Sequence, residues 1–77
     1  MDALKQIGLN IRILRIRRGI TQEQLAVEAG VERSYMGGVE RGQRNMSVRI
    51  LIKVMAALNC SPMAVFEEVD LQALPDN

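Results

Sequence analysis

The chain has no histidine and no tryptophan, and only one cysteine, one tyrosine, one phenylalanine and two prolines among its 77 residues. Each scarcity removes a class of chemistry. Without histidine there is no imidazole to act as a general base near neutral pH or to ligate a metal. A single cysteine, Cys60, can build neither an internal disulfide nor a zinc site. It reads as a small apolar side chain in a protein of the reducing cytoplasm. The phosphate-cradling patterns GxxxxGK[ST] and GxGxxG are absent. No apolar run approaches the ~18 residues of a membrane span, and the N-terminus lacks the basic-then-apolar order of a signal peptide. The neighbouring carboxylates Glu67 and Glu68 read as a solvated helix end. The expectation is a protein that is not an enzyme, with no metal, no cofactor, no small-molecule ligand and no membrane partner.

With so few aromatic residues the core must be aliphatic, built from Leu, Ile, Val, Ala and Met. A length of 77 residues is expected to make one domain, residues 1–77, with no room for a sensor module. Domains of this size bury only ~60–65% of the surface their unfolded chains expose, so stability is marginal and a partner subunit helps. The formal net charge of +1 conceals an uneven distribution. All 10 basic residues lie between Lys5 and Lys53, accompanied by Asp2, Glu23, Glu28, Glu32 and Glu40. From Val54 onward there is no basic residue, and the acids are Glu67, Glu68, Asp70 and Asp76. The front of the chain suits a polyanion and the tail does not.

Periodicity predicts an all-α fold of five helices. The first runs from about Asp2 to Arg18, with Leu4, Ile7, Ile11 and Leu14 at helical spacing and Arg17, Arg18 and Gly19 at its end. The second spans about Gln22 to Ala29. Thr21 can cap it, and Gln24 can answer as a capping box. Leu25 and Ala29 face one way, and Ala26 is small where another helix must cross. Gly30 stands where the chain leaves the helix, a position favouring positive φ. The third helix runs from about Glu32 to Arg41, with Met36 and Val39 inward, and Gly42 closes it. After a loop from Gln43 to Met46, Ser47 can cap a fourth helix that turns Ile50, Leu51, Val54 and Leu58 inward. Ser61 and Pro62 open a fifth, expected to end near Leu71, with a frayed tail from Leu74 to Asn77. Two short helices joined by a tight turn, over about residues 21–41, have the layout of a helix-turn-helix DNA reader.

The segments TQEQLA, AGV and VERG within this stretch resemble the lambda-type phage repressors and the wider xenobiotic-response-element class of bacterial regulators. The resemblance covers about Ile7 to Phe66. The run RSYMGGVERGQRN is most similar to the controller proteins of restriction–modification systems. It implies a five-helix, lambda-repressor-like DNA-binding domain with the helix-turn-helix at the second and third helices. The implied function is sequence-specific regulation of the protein's own promoter by a homodimer on palindromic half-sites of double-stranded DNA, with RNA polymerase as a further partner. A phage or plasmid repressor, or an antitoxin or adaptor using the fold for protein interaction, are the alternatives.

The first residues of a recognition helix meet base edges. Arg33 suits guanine O6 and N7, and Ser34 can donate or accept. Tyr35 either packs on sugar–phosphate or a thymine methyl, or turns against the first helix. Gly37, expected to be exposed, departs from the serine of many relatives, which weakens direct readout there but lets the backbone approach the groove. The resemblance implies that Gln22, Arg41, Arg44 and Asn45 reach the phosphates, with Arg44 close enough for a base, and that Arg15 and Glu40 pair between the first and third helices. Arg49 is a further phosphate candidate. The dimer region is expected at about residues 58–71, with Asn59, Cys60, Met63, Val65 and Val69 forming an apolar patch against a second copy.

Overall fold

The structure, a computed structural model, describes residues 2–67. Four α-helices follow one another: α1 Ala3–Arg18, α2 Gln22–Ala29, α3 Arg33–Glu40 and α4 Val48–Ala57. Among the described residues there is no strand. The fifth helix expected from Ser61 is instead a 3₁₀ helix, Pro62–Phe66. Ser61 caps it through Met63 N–H and Pro62 stands in its first turn, as expected, but the tighter coil ends at Phe66. Short 3₁₀ turns carry poorer hydrogen-bond geometry and rarely extend. The expected end near Leu71, the tail from Leu74 to Asn77 and Val69 lie outside the described residues.

The helix boundaries have local causes. Asp2 accepts from the backbone N–H of Leu4 and Lys5, satisfying two of the four orphan donors of α1. Arg15, Arg17 and Arg18 crowd its last turn, where the helix dipole favours cations. On α2 both halves of the capping box form: Gln24 N–H donates to Thr21 Oγ1 at 3.0 Å, and Thr21 N–H donates to Gln24 Oε1 at 2.8 Å. Gly30 then takes the left-handed φ of 71°, and Val31 N–H returns to the Ala26 carbonyl. That closure turns the chain sharply into α3. Ser47 caps α4 through Ile50 N–H.

The core is one cluster: Ile11 of α1, Leu25, Ala26 and Ala29 of α2, Met36 and Val39 of α3, and Val54, Met55, Leu58 and Val65. It is aliphatic throughout, as the composition requires. Met55 is fully buried while Ile50 and Leu51, both expected inward, are half-covered. Helices α1 and α3 meet backbone to backbone. A Cβ at Gly8 would stand 2.3 Å from the Val39 carbonyl oxygen and 2.7 Å from that of Glu40. No side chain can occupy that crossing.

Asn10 is fully buried in this apolar setting and is completely partnered. Its amide donates to the carbonyls of Val65 at 2.6 Å and Glu67 at 2.8 Å, while its own oxygen accepts from Gln6 Nε2 at 3.0 Å. The side chain therefore straps the end of the described chain onto α1. Truncating one partner of a buried hydrogen bond leaves the others unsatisfied, at about 1–3 kcal/mol each. Asn10→Ala should lower the thermal midpoint by about 10 °C, taking ~4–8 °C per kcal/mol for a domain this small. Calorimetry reads this directly, and a midpoint unchanged from wild type would remove the strap from the account.

Candidate nucleic-acid interface

Helix α3 has only eight residues, two of them glycine, and its N-cap, Glu32, makes no side-chain capping bond. Isolated helices of this length are marginal in water, so its neighbours must hold it. The main tether is Glu40 at its C-terminal end. The carboxylate accepts from Arg15 Nε at 2.7 Å, from Arg15 Nη2 at 3.1 Å and from Gln22 Nε2 at 3.0 Å. Arg15 Nη1 also donates to the Ile20 carbonyl at 2.9 Å. The Glu40 side chain is 2% exposed and that of Arg15 14%. A bidentate arginine with an added amide donor satisfies a carboxylate that water cannot reach. The bond set joins the end of α1, the start of α2 and the end of α3. The pair expected between the first and third helices is present, and it extends to Gln22.

Gln22 thus has one amide hydrogen committed to Glu40. Gln22, Arg33, Ser34, Gly37 and Arg41 together line one open surface depression. Arg33 and Ser34 are exposed on the first turn of α3. Gly37 is buried rather than exposed, because other side chains cover it. A Cβ there would lie 3.1 Å from Arg41 Nη1 and 3.5 Å from Gln22 Oε1. The expectation of an exposed Gly37 is therefore corrected: an arginine end stands over it. Arg41 Nε also donates to Gln43 Oε1 at 3.0 Å.

Tyr35 is half-buried, and its hydroxyl donates to the Asn45 carbonyl. It packs against the core and anchors the loop after α3. Arg44 and Asn45 are exposed on that loop, at the edge of a groove of about 260 Å³ whose other walls include Leu4, Met46, Val48 and Phe66. Arg49 is exposed on the first turn of α4 and lines neither depression. Arg18, which the sequence offered only as a helix end, is engaged elsewhere: it pairs with Glu28 at 2.6 Å and reaches the Ala57 carbonyl.

The expected dimer residues among the described ones differ in exposure. Asn59 is exposed, with a left-handed φ of 57°. Cys60 is half-buried and its thiol donates to the Leu58 carbonyl. Met63 is 65% exposed. Val65 is fully buried in the monomer core, its carbonyl held by Asn10, so its side chain has no surface to offer a second chain. Phe66, which sequence reasoning passed over, is 59% exposed beside it.

Three structural residues were also missed. Gly8 sits in mid-helix, where a glycine is unfavourable and signals a packing reason. Asn10 lies on the stripe running from Ile7 to Leu14, a polar residue at a core position. Gln6 stands one turn before it. Those irregularities were the available signals.

The Glu40 bond set carries its own expectation. Glu40→Gln keeps the shape but removes the charge, and leaves Arg15 buried beside a neutral amide. The variant should lose about 2–4 kcal/mol of stability, and a double-mutant cycle with Arg15→Met should give a coupling of about 1.5 kcal/mol or more. Urea titration of the four proteins measures it. A coupling near zero would mean that the pair does not orient α3.

Comparisons with known proteins agree with this geometry. The helix-turn-helix family (HTH_3) matches residues 11–64. The control protein C.SmaI of Serratia marcescens is 41% identical over 61 residues, covering 79% of this chain and 73% of that protein. An HTH-type transcriptional regulator, y4dJ, of Sinorhizobium fredii is 34% identical over 70 residues, covering 91% of each chain. Among solved structures, the restriction–modification controller protein C.AhdI from Aeromonas hydrophila superposes with a TM-score of 0.80 at 46% identity, covering 82% of this chain and 96% of that one. The chain belongs to the helix-turn-helix family of transcriptional regulators, with restriction–modification controller proteins among its relatives.

Proposed function

We propose that this protein is a cytoplasmic, sequence-specific regulator that binds its own promoter as a homodimer, in the manner of a restriction–modification controller. The observation that carries the reading is the convergence of Arg33, Ser34, Gln22 and Arg41 on one open face along α3, while Glu40 at the C-terminal end of that helix is buried and neutralised. The exposed charge of the face is thus positive, which suits phosphate. Arg33 reads a base, with Ser34 beside it. The free amide hydrogen of Gln22, together with Arg41, Arg44, Asn45 and Arg49, contacts the backbone and sets the register. Tyr35 serves through the loop it anchors. RNA polymerase is a partner at the promoter. The absence of an acid from the lining of this depression, with Arg41 at its edge and Arg44 on the following loop, favours DNA over a protein ligand.

A mobility-shift titration on the DNA upstream of its own gene tests this reading. Wild type should bind that duplex more tightly than a scrambled one. Arg33→Ala should reduce the difference by about 1–3 kcal/mol, whereas Arg41→Ala should weaken both complexes alike and lower the salt slope by about one. If Arg33→Ala left the ratio of affinities unchanged, base readout would have to be assigned elsewhere.

One module buries little surface on DNA, and paired half-sites about one helical turn apart call for a two-fold dimer. Met63 and Phe66 are three residues apart on a 3₁₀ helix, where side chains at that spacing eclipse, so they make one apolar ridge. With Asn59 and Cys60 next to it, this ridge is the proposed contact with a second copy. The paired change Met63→Asp with Phe66→Asp leaves buried Val65 in place. It should yield a folded monomer in sedimentation at micromolar concentration and lose operator binding. A mutant that stays dimeric would place the interface elsewhere.

A further inference from the structure

Helix α3 carries Gly37 and Gly38 in succession, both poor helix formers and both buried. Arginines from further along the chain cover them. Over Gly37 lies the far end of Arg41, a flexible tip that can move aside. Over Gly38 lies the stem of Arg44. A Cβ on Gly38 would stand 2.6 Å from Arg44 Cγ, 3.6 Å from its Cβ and 3.7 Å from its Cδ. A stem so near the backbone cannot make room by rotating its tip.

The backbone on either side of Arg44 is also tied down. Gly42 turns the chain back with a left-handed φ of 74°. Gln43 N–H then donates to the Gly38 carbonyl at 2.8 Å, and the Asn45 carbonyl accepts from the Tyr35 hydroxyl. The residue before Arg44 and the residue after it are each bonded to α3. Between these two points the stem of Arg44 lies across Gly38.

We propose that Gly38 is a positioning residue for DNA binding: its missing side chain is the seat on which the stem of Arg44 rests, and this seat sets where the guanidinium stands. The proposal rests on the DNA-binding reading above. Gly38 is one turn beyond Ser34 on the same side of α3, and the neighbouring row runs Arg33, Gly37, Arg41. Seated there, the loop arginine lies on the side of α3 that carries Ser34. Any side chain at position 38 lifts the stem and moves the charge off that face.

Alanine favours helix over glycine, which offsets part of the cost of displacing the Arg44 stem, so Gly38→Ala should still fold. Its affinity for duplex DNA at low salt should nevertheless fall about tenfold, and its salt slope should drop by about one, as expected when one cation leaves the phosphates. Arg44→Ala should lose a similar factor, and Gly38→Ala with Arg44→Ala together should be no weaker than Arg44→Ala alone. Multiplying effects, or Gly38→Ala binding like wild type, would overturn the proposal. If Gly38→Ala failed to fold, recovery of the fold in the double variant would support the clash with Arg44, and continued failure would overturn it. In the free wild-type protein, an NMR contact between the Gly38 α-protons and the Arg44 γ-protons reads the seat without DNA, and its absence would overturn the proposal. Wild type that bound no duplex at all would instead sink the DNA-binding reading, and with it the role of the seat but not the contact itself.

Discussion

The orientation of the reading helix depends on a single buried carboxylate. Glu40 closes α3, and its three hydrogen bonds run to Arg15 on α1 and Gln22 at the start of α2. Burying a charge in so small a core is unfavourable unless both oxygens are partnered, and the two arginine nitrogens and the glutamine amide partner them. What such a pair contributes is direction more than net stability. A helix of eight residues with two glycines has little rigidity of its own. The ion pair fixes its end while Met36 and Val39 fix its side. Gly8 lets α1 approach close enough for the pair to form, since any Cβ there would collide with the carbonyls of Val39 and Glu40. The glycine in α1 and the glutamate in α3 are two parts of one constraint.

The same bond set links structure to recognition. Gln22 is both a member of the buried network and a residue of the exposed face. Its committed amide hydrogen holds the side chain in one place before any ligand arrives. A preorganised side chain gives up less conformational freedom on binding than one recruited from solution. Arg41 is partly ordered in a similar way, by Gln43 and by its place over Gly37. Two of the side chains lining the face, Gln22 and Arg41, are therefore already held by the protein.

Much of this was legible in the sequence. The capping box of Thr21 and Gln24, the left-handed exit at Gly30 and the inward pair Met36 and Val39 are local features, and their spacing alone placed α2, the turn and α3. Arg33 and Ser34 were legible because a helix start exposes its first turn. The rest depends on tertiary contacts that no local pattern encodes. Val65 was assigned to the surface because a helical period was assumed for a segment that coils as 3₁₀. Gly37 was assigned to the surface from its place on the helix, but an arginine four residues later folds back over it. Asn10 was unread because its partners, the carbonyls of Val65 and Glu67, lie 55 and 57 residues away.

That long-range strap also divides the labour within the molecule. The basic residues end at Lys53, and beyond that point the described chain presents apolar side chains, Met63 and Phe66, with Glu67. Asn10 holds this segment on α1, and Arg15, one helical turn and a residue further along, holds α3. Helix α1 therefore carries both attachments, one toward the cationic face and one toward the apolar ridge. If the ridge is where two copies meet, the distance between their reading helices is set through α1, which as a continuous helix of 16 residues transmits position with little slack. Half-site spacing on DNA is then a property of a rigid element rather than of a linker, and a regulator of this size can discriminate by geometry as well as by the few side chains that touch bases.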